Sequence, residues 1–413
     1  MVLILFGCSH VFAPQPQQRI DVVDMSQFSI PSEELKRDSF KVAMLLPLSG
    51  KASTYGQGLQ NAAMMALEDV AAQNLEIRFY DTGSAPKGAS EAFHEAVSNQ
   101  AQMILGPLTS EEVSAISPLS KRENVPVISF STSPQVLGGG IYTLGLLSDE
   151  QIRRIISYAA KKGHLKLALV LPDSASGLNM AKSAFDVAQL YGATVKKIGF
   201  YDPSTLEFSE FVQQMIATRD FDTVLIAETG NRLKAISGTF GYYDVSYPHV
   251  LFIGTSVWEN TNLTKETTLY HAVYPTISRV HADYFNAKYK DLFGSIPSSL
   301  YAYAYDAVAL ASVLSTKDVR HLNEYITSTD GYIGINGIFK INPDGTNMHR
   351  LDIVEVTQNG LRTVDAASQK FEPETYQNQM TPAQMPEIFG KDAAVVYQKL
   401  APQPLETPYF FRF

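Results

Sequence analysis

Asp81-Thr82-Gly83-Ser84 has the order of an aspartic protease signature, in which two carboxylates share a proton and activate water. That chemistry needs two aspartates, and no second Asp-Thr-Gly or Asp-Ser-Gly occurs in the 413 residues. The tetrapeptide also closes a strand pattern that leads into a helix, whereas those proteases are all-β. Gly56-Gln57-Gly58 has the beginning of a dinucleotide loop, but Asn61 stands where its third glycine belongs, so a tight strand-to-helix turn explains it more simply. Gly138-Gly139-Gly140 lacks the Gly-Lys-Ser/Thr ending of a phosphate loop and reads as a turn. Among the eight histidines, His94, His164, His249, His271, His281 and His321 show no metal spacing with one another. No Gly-x-Ser-x-Gly elbow supplies a nucleophile. The residue types therefore give no catalytic constellation, no metal site and no cofactor loop, and they point to binding rather than catalysis.

A net charge of −9 lacks the concentrated basic face that phosphate backbones require, which argues against nucleic acid as a partner. With 45% hydrophobic and 18% charged residues, and no apolar run of about 18, the body reads as globular. The single cysteine, Cys8, rules out an intramolecular disulfide and a cysteine-based zinc site. It ends the apolar run Val2-Leu3-Ile4-Leu5-Phe6-Gly7, with a leucine three residues before it and a small residue directly before it. This is the order of a bacterial lipobox, in which residues 1–7 are removed and the cysteine is lipidated. Ser9 in second position resembles lipoproteins sorted to the outer membrane. Residues 8–39, with Pro14-Gln15-Pro16-Gln17-Gln18, carry little apolar surface and read as a flexible tether.

Such a body must place its loops on regular elements, and the periodicity supplies them. Lys41 to Pro47 is a continuous apolar strand, Gly58 to Ala72 has helical spacing, Leu75 to Tyr80 is a strand and Ser90 to Ser98 a helix. The same β-then-α alternation runs on from Met103 to Ile253, then falls away after Val356 into a Gln-, Pro- and Tyr-rich tail. Near-continuous alternation predicts an α/β fold with parallel sheets covered by helices on both faces. Nine or more units exceed a comfortable single sheet, so two doubly wound lobes are predicted, with ligand loops at the carboxyl ends of the strands. The glycine-flanked stretches Gly140 to Leu146, Phe252 to Trp258 and Asp330 to Gly337 are the expected crossings between lobes.

Several motifs also carry a resemblance. Lys41-Val42-Ala43-Met44-Leu45-Leu46-Pro47-Leu48-Ser49-Gly50, Tyr55-Gly56, Tyr80-Asp81-Thr82-Gly83, Ile104-Leu105-Gly106-Pro107-Leu108 and Val125-Pro126-Val127-Ile128-Ser129-Phe130-Ser131 resemble the type I periplasmic binding fold of leucine-binding proteins. On a lipoprotein, this combination is most similar to the C-terminal domain of the lipoprotein activators of penicillin-binding proteins, over about Phe40 to Val356. The resemblance implies a non-catalytic regulator of peptidoglycan synthesis that contacts a penicillin-binding protein. The receptor members of the fold imply the alternative, a solute receptor that serves an ABC permease and closes on an amino acid or similar small polar ligand.

Carried over residue by residue, the receptors' ligand positions fall on Ser110, on Ser131 or Thr132, on Ser176, on Thr229, and, where an acid is expected, on Thr255-Ser256. An ammonium stripped of water needs a carboxylate or equivalent acceptors. The missing acid argues against a free amino acid, although Glu228 and Glu259 lie near enough in sequence to supply one. The same hydroxyls equally fit helix caps. The expected division is a first lobe of 40–143 and 256–330, a second of 144–255 and 331–357, and an extension, 358–413, packed on the surface or partly disordered. Tyr301, Tyr303 and Tyr305 start an Ala-rich helix, with Tyr301 and Tyr305 on one face. They serve either as packing at the rim of the first lobe or as a docking patch for a partner.

Overall fold

The computed structural model describes residues 39–371 and 385–401. Cys8 and nearly all of the tether lie outside them. β1 (Phe40–Leu46), β2 (Leu75–Asp81), β3 (Met103–Leu105), β4 (Val127–Ser129) and β5 (Ile141–Thr143) form a parallel sheet in the order β2-β1-β3-β4-β5. Because both faces of such a sheet are covered, its strands are apolar on both sides. Phe40, Val42, Met44 and Leu46 of β1 enter one core, while Ala43 and Leu45 enter the other. The second of these cores is closed by α2 (Pro86–Ser98) and α3 (Ser110–Glu123). The first is closed by α1 (Ser53–Val70), α8 (Arg279–Phe293) and α9 (Tyr301–Leu314).

The second lobe repeats the plan around β6 (Lys166–Pro172), β7 (Thr194–Tyr201), β8 (Thr223–Ile226), β9 (Leu251–Gly254) and β10 (Val273–Ile277). Here Leu167, Leu169 and Leu171 of β6 face α4 (Ser148–Lys161) and α5 (Ala175–Leu190). Ala168 and Val170 face α6 (Ser209–Met215) and α7 (Gly230–Tyr242). Each fully buried Leu, Ile, Val or Phe contributes roughly 1.5–3 kcal/mol, so these alternating sets fix which face each strand turns inward.

The α/β, two-lobe expectation stands, but its boundaries move. β10 lies in the second sheet between β9 and β14 (Leu351–Thr357), so 256–277 belongs to the second lobe and not the first. Conversely, β11 (Tyr332–Gly334), β12 (Gly337–Ile341) and β13 (Asn347–His349) form a small antiparallel sheet whose Ile335, Phe339 and Ile341 enter the first-lobe core. The second and third crossings are therefore Ile277 to Arg279 and His349 to Leu351, rather than 252–258 and 330–337. The glycines in those two stretches served a strand end and a hairpin. Only the first crossing, after β5, falls where expected.

The described part of the tail also differs from a surface extension, while 372–384 and 402–413 of the expected extension lie outside the described residues. β15 (Gly360–Asp365) and β16 (Glu387–Phe389) complete the order β15-β14-β10-β9-β8-β6-β7-β16, and α11 (Ala393–Leu400) packs through Val396 and Leu400 into the second-lobe core. The reason is electrostatic as well as apolar. Lys197 on β7 is wholly buried, and its ammonium is 3.2 Å from Glu387 and 5.4 Å from the Phe389 ring, both on β16. Gly56 and Gly58 lie inside α1, not in a turn. A Cβ on Gly58 would stand 2.0 Å from the Tyr301 ring, so the missing side chain lets α9 seat on α1. Tyr301 stacks on Tyr289, Tyr305 donates to Asp69 at 2.8 Å and Tyr303 is buried. The packing explanation holds for all three. No helix among the described residues is long and apolar enough to cross a membrane.

Candidate functional site

β5 leaves the first sheet at its carboxyl end, and β10 leaves the second sheet at its carboxyl end. The carboxyl ends of both sheets therefore face the junction of the lobes, where ligands bind in open α/β folds. The candidates sit on these ends, and most of them already serve the protein. Thr109 caps α3 in a capping box with Glu112, which places Ser110 at the first helical position, 3.2 Å from Glu111. The Glu112 carboxylate, fully buried, accepts from the Thr109 N–H at 3.0 Å, the Thr109 hydroxyl at 2.9 Å and the Thr82 hydroxyl at 2.5 Å. Ser131 is buried, and its oxygen accepts the Ser133 N–H at 3.3 Å. Thr132 is exposed, with its methyl packed where Gly145 lacks a Cβ.

Asp81 braces the loops after β1 and β2 by accepting the N–H groups of Ser49, at 3.0 Å, and Gly83, at 2.8 Å. Burial alone would raise its carboxyl, but these hydrogen bonds outweigh it and hold it below its ordinary value. The Asp-Thr-Gly-Ser segment is thus a loop brace.

On the second lobe, Ser176 is exposed in the first turn of α5, whose cap is Ser174. The Thr229 hydroxyl meets that of Thr261 at 3.0 Å, and the Ser256 N–H donates to Gln151 at 2.8 Å. Glu228 accepts from the Tyr201 hydroxyl at 2.5 Å and the Thr229 N–H at 2.9 Å, and pairs with Arg232 at 2.8 Å. Burial, joined by this carboxylate, pushes the Tyr201 hydroxyl well above its usual range. Glu228, one of the two expected cleft acids, is therefore already neutralised. Glu259 is the more exposed of the two, and it accepts from the Thr276 hydroxyl.

Behind the rim, at the first and third crossings, lies a cluster that no motif marks. Glu150, in the first turn of α4, accepts the backbone N–H of His349, and its second oxygen is 3.4 Å from His349 Nδ1. Burial pushes the Glu150 carboxyl up, against the pull of His349. The imidazole stands edge-on to Tyr303 at 6.2 Å and tilted to Phe339 at 5.8 Å. On the first-lobe side, Asp306 of α9 accepts the N–H groups of Ile335, at 2.6 Å, and Asn336, at 3.1 Å. Burial pushes the Asp306 carboxyl up to about 6 despite those two bonds. Of these two buried acids, Glu150 meets the imidazole at the third crossing, and Asp306 braces the first-lobe hairpin. No spacing in the sequence could reveal them, because Glu150 and His349 are 199 residues apart.

Along β10 runs a groove of about 340 Å³. Its floor is the second-sheet face, one wall is the loop that follows β9, and the opposite wall is α8 with the start of α9 from the first lobe. The hairpin turn between β11 and β12 closes its inner end. Of the expected cleft residues, only Glu259 lines it.

An uncharacterized protein of Rickettsia prowazekii is 21% identical over 355 residues, 81% of this chain and 90% of the relative. The penicillin-binding protein activator LpoA of Glaesserella parasuis is 26% identical over 144 residues, 34% of this chain, and that match spans 24% of the activator's length. Among solved structures, a branched-chain amino acid ABC transporter protein of Rhodospirillum rubrum superposes with a TM-score of 0.68 at 18% identity, covering 79% of this chain and all of its own. At that identity the likeness is one of fold. The periplasmic binding protein family matches residues 39–361. With the two parallel lobes, the crossings and that match over most of its length, the chain belongs to the periplasmic binding protein family.

Proposed function

We propose that the protein regulates a peptidoglycan synthase of the penicillin-binding protein class through protein contacts, on the outer side of the cytoplasmic membrane and anchored by a lipid on Cys8. The observation that carries this reading is the state of Glu228. Its carboxylate is matched by Arg232 and Tyr201, and Ser256 stands where the receptors place an acid. An amino acid's ammonium entering this rim would displace an existing ion pair or go without a counter-charge, and both cost affinity. The local match to an activator supports the same reading.

The test is reconstitution of the full, lipidated chain with the bifunctional synthase of the same organism, reading glycan polymerisation and cross-linking rates. A several-fold stimulation that needs a direct complex is expected. The reading is overturned if the rates stay unchanged while millimolar amino acids raise the melting temperature. A ligand at a hundred times its Kd adds about 2.7 kcal/mol, and that result would make the chain a transport receptor serving a permease.

A further inference from the structure

The groove along β10 is assembled from both lobes and lies against the second crossing, yet of the expected cleft residues it takes in only Glu259. Its volume, about 340 Å³, falls in the roughly 300–1,000 Å³ of small-molecule pockets. Three carboxamides line it, from three separate elements: Asn262 after β9, Asn286 on α8 and Asn336 at the turn between β11 and β12. Asn336 is 3% exposed, and its amide nitrogen lies beside the Asp306 carboxylate without a hydrogen bond of normal geometry. The oxygen of Asn262 is engaged by Thr264, so its amide hydrogens are what it can offer. Tyr274 and Phe285, both buried, close the back.

We infer that this groove is a binding site for a hydroxyl-rich small molecule of monosaccharide size, neutral or cationic. Carboxamides donate and accept, as vicinal hydroxyls do, and three of them on separate elements can meet hydroxyls on several sides of one small ring. Among the described lining residues there is no Lys, Arg or His, and the Glu259 carboxylate repels a phosphate or carboxylate while it favours an amine. Because the walls belong to different lobes, an occupant bridges them and biases the angle between them. The site goes beyond the synthase reading and stands or falls separately from it.

The protein contains one tryptophan, Trp258, which is buried with its ring 5.7 Å from that of Tyr274. Its fluorescence therefore reports on the back wall of the groove. The experiment titrates the full chain with glucose, glucosamine and glucose 6-phosphate, following tryptophan emission and confirming stoichiometry by calorimetry. Saturable binding of glucosamine and glucose is expected, with glucose 6-phosphate at least tenfold weaker. Asn286→Ala should weaken both sugars by tenfold or more, and Glu259→Gln should remove the preference for glucosamine over glucose. Ser299→Ala, on an exposed lining residue, gives a second variant if Asn286→Ala fails to fold, and a severalfold loss is expected there. The site is overturned if no sugar binds saturably, if glucose 6-phosphate binds as tightly, or if the folded variants bind like the parent. Sugar binding without synthase stimulation sinks only the synthase reading, and stimulation without sugar binding sinks only this site.

Discussion

Glu228 at the end of β8 and Glu150 at the start of α4 are both second-lobe carboxylates facing the junction, but they are treated differently. Glu228 holds a guanidinium at 2.8 Å, a phenol at 2.5 Å and a backbone N–H at 2.9 Å. Glu150 has one backbone N–H and an imidazole 3.4 Å away. The rim has spent its polar groups on itself, so its loops keep one shape at little electrostatic cost. The interior behind the rim holds acids that burial penalises, Glu150 at the crossings and Asp306 against the first-lobe hairpin. A buried acid without a strong partner is costly. Their presence ties this interior, more than the rim, to protonation.

The largest effect that would sharpen this contrast is expected from Asp306→Ala. It strands the Ile335 and Asn336 N–H groups, and each buried donor without a partner costs about 1–3 kcal/mol, so a loss of roughly 2–6 kcal/mol should appear in denaturant unfolding. Ser131→Ala at the rim should stay within about 0.5 kcal/mol. Equal losses would break the comparison.

A smaller effect is expected with pH. The Asp306 carboxyl titrates near 6 in the folded protein, against about 3.9 when unfolded, so between those values the folded state holds a proton that the unfolded state has released. The contribution is therefore fully present below about pH 4 and is lost as pH rises through about 6, a fall of up to ~3 kcal/mol. Glu150, also raised, adds in the same direction. Asp306→Asn removes the titration, so the stability of the parent relative to this variant should decline from pH 4 to 6 and then level off. A flat difference would show that this buried acid is not strained.

The lobes were legible because parallel strands buried on both faces read as continuous apolar runs, as in Lys41 to Pro47, and their helices carry a separate period. The crossings were not, because the glycines at 254 and 331–337 mark a strand end and a hairpin as readily as a hinge. β16 was missed because it has three residues and is held by the buried Lys197, whose partner Glu387 is remote in sequence. At the rim, resemblance put the candidates on loops that follow the strands, but it could not show that Glu228 was already paired, since Tyr201 and Arg232 sit on different elements. Asp306 was visible only as the residue after a tyrosine run. Its role depends on a turn that returns 29 residues later.

The smallest expected effect separates capping from ligand contact at the rim, one residue at a time. Thr109 accepts the Glu112 N–H and donates to its carboxylate, so Thr109→Ala should cost about 1 kcal/mol as a lost N-cap. Ser110, one residue on, makes a single exposed contact with Glu111, so Ser110→Ala should change stability by no more than about 0.5 kcal/mol. Thermal melts of both variants, with and without an amino acid panel, read the two roles together. If the rim is self-satisfied, Ser110→Ala alters neither the melt nor any response to the panel. If the parent is stabilised by an amino acid and Ser110→Ala abolishes that gain while leaving the bare melt unchanged, Ser110 is a ligand contact. The contrast between a closed rim and a strained interior would then be lost at its first residue.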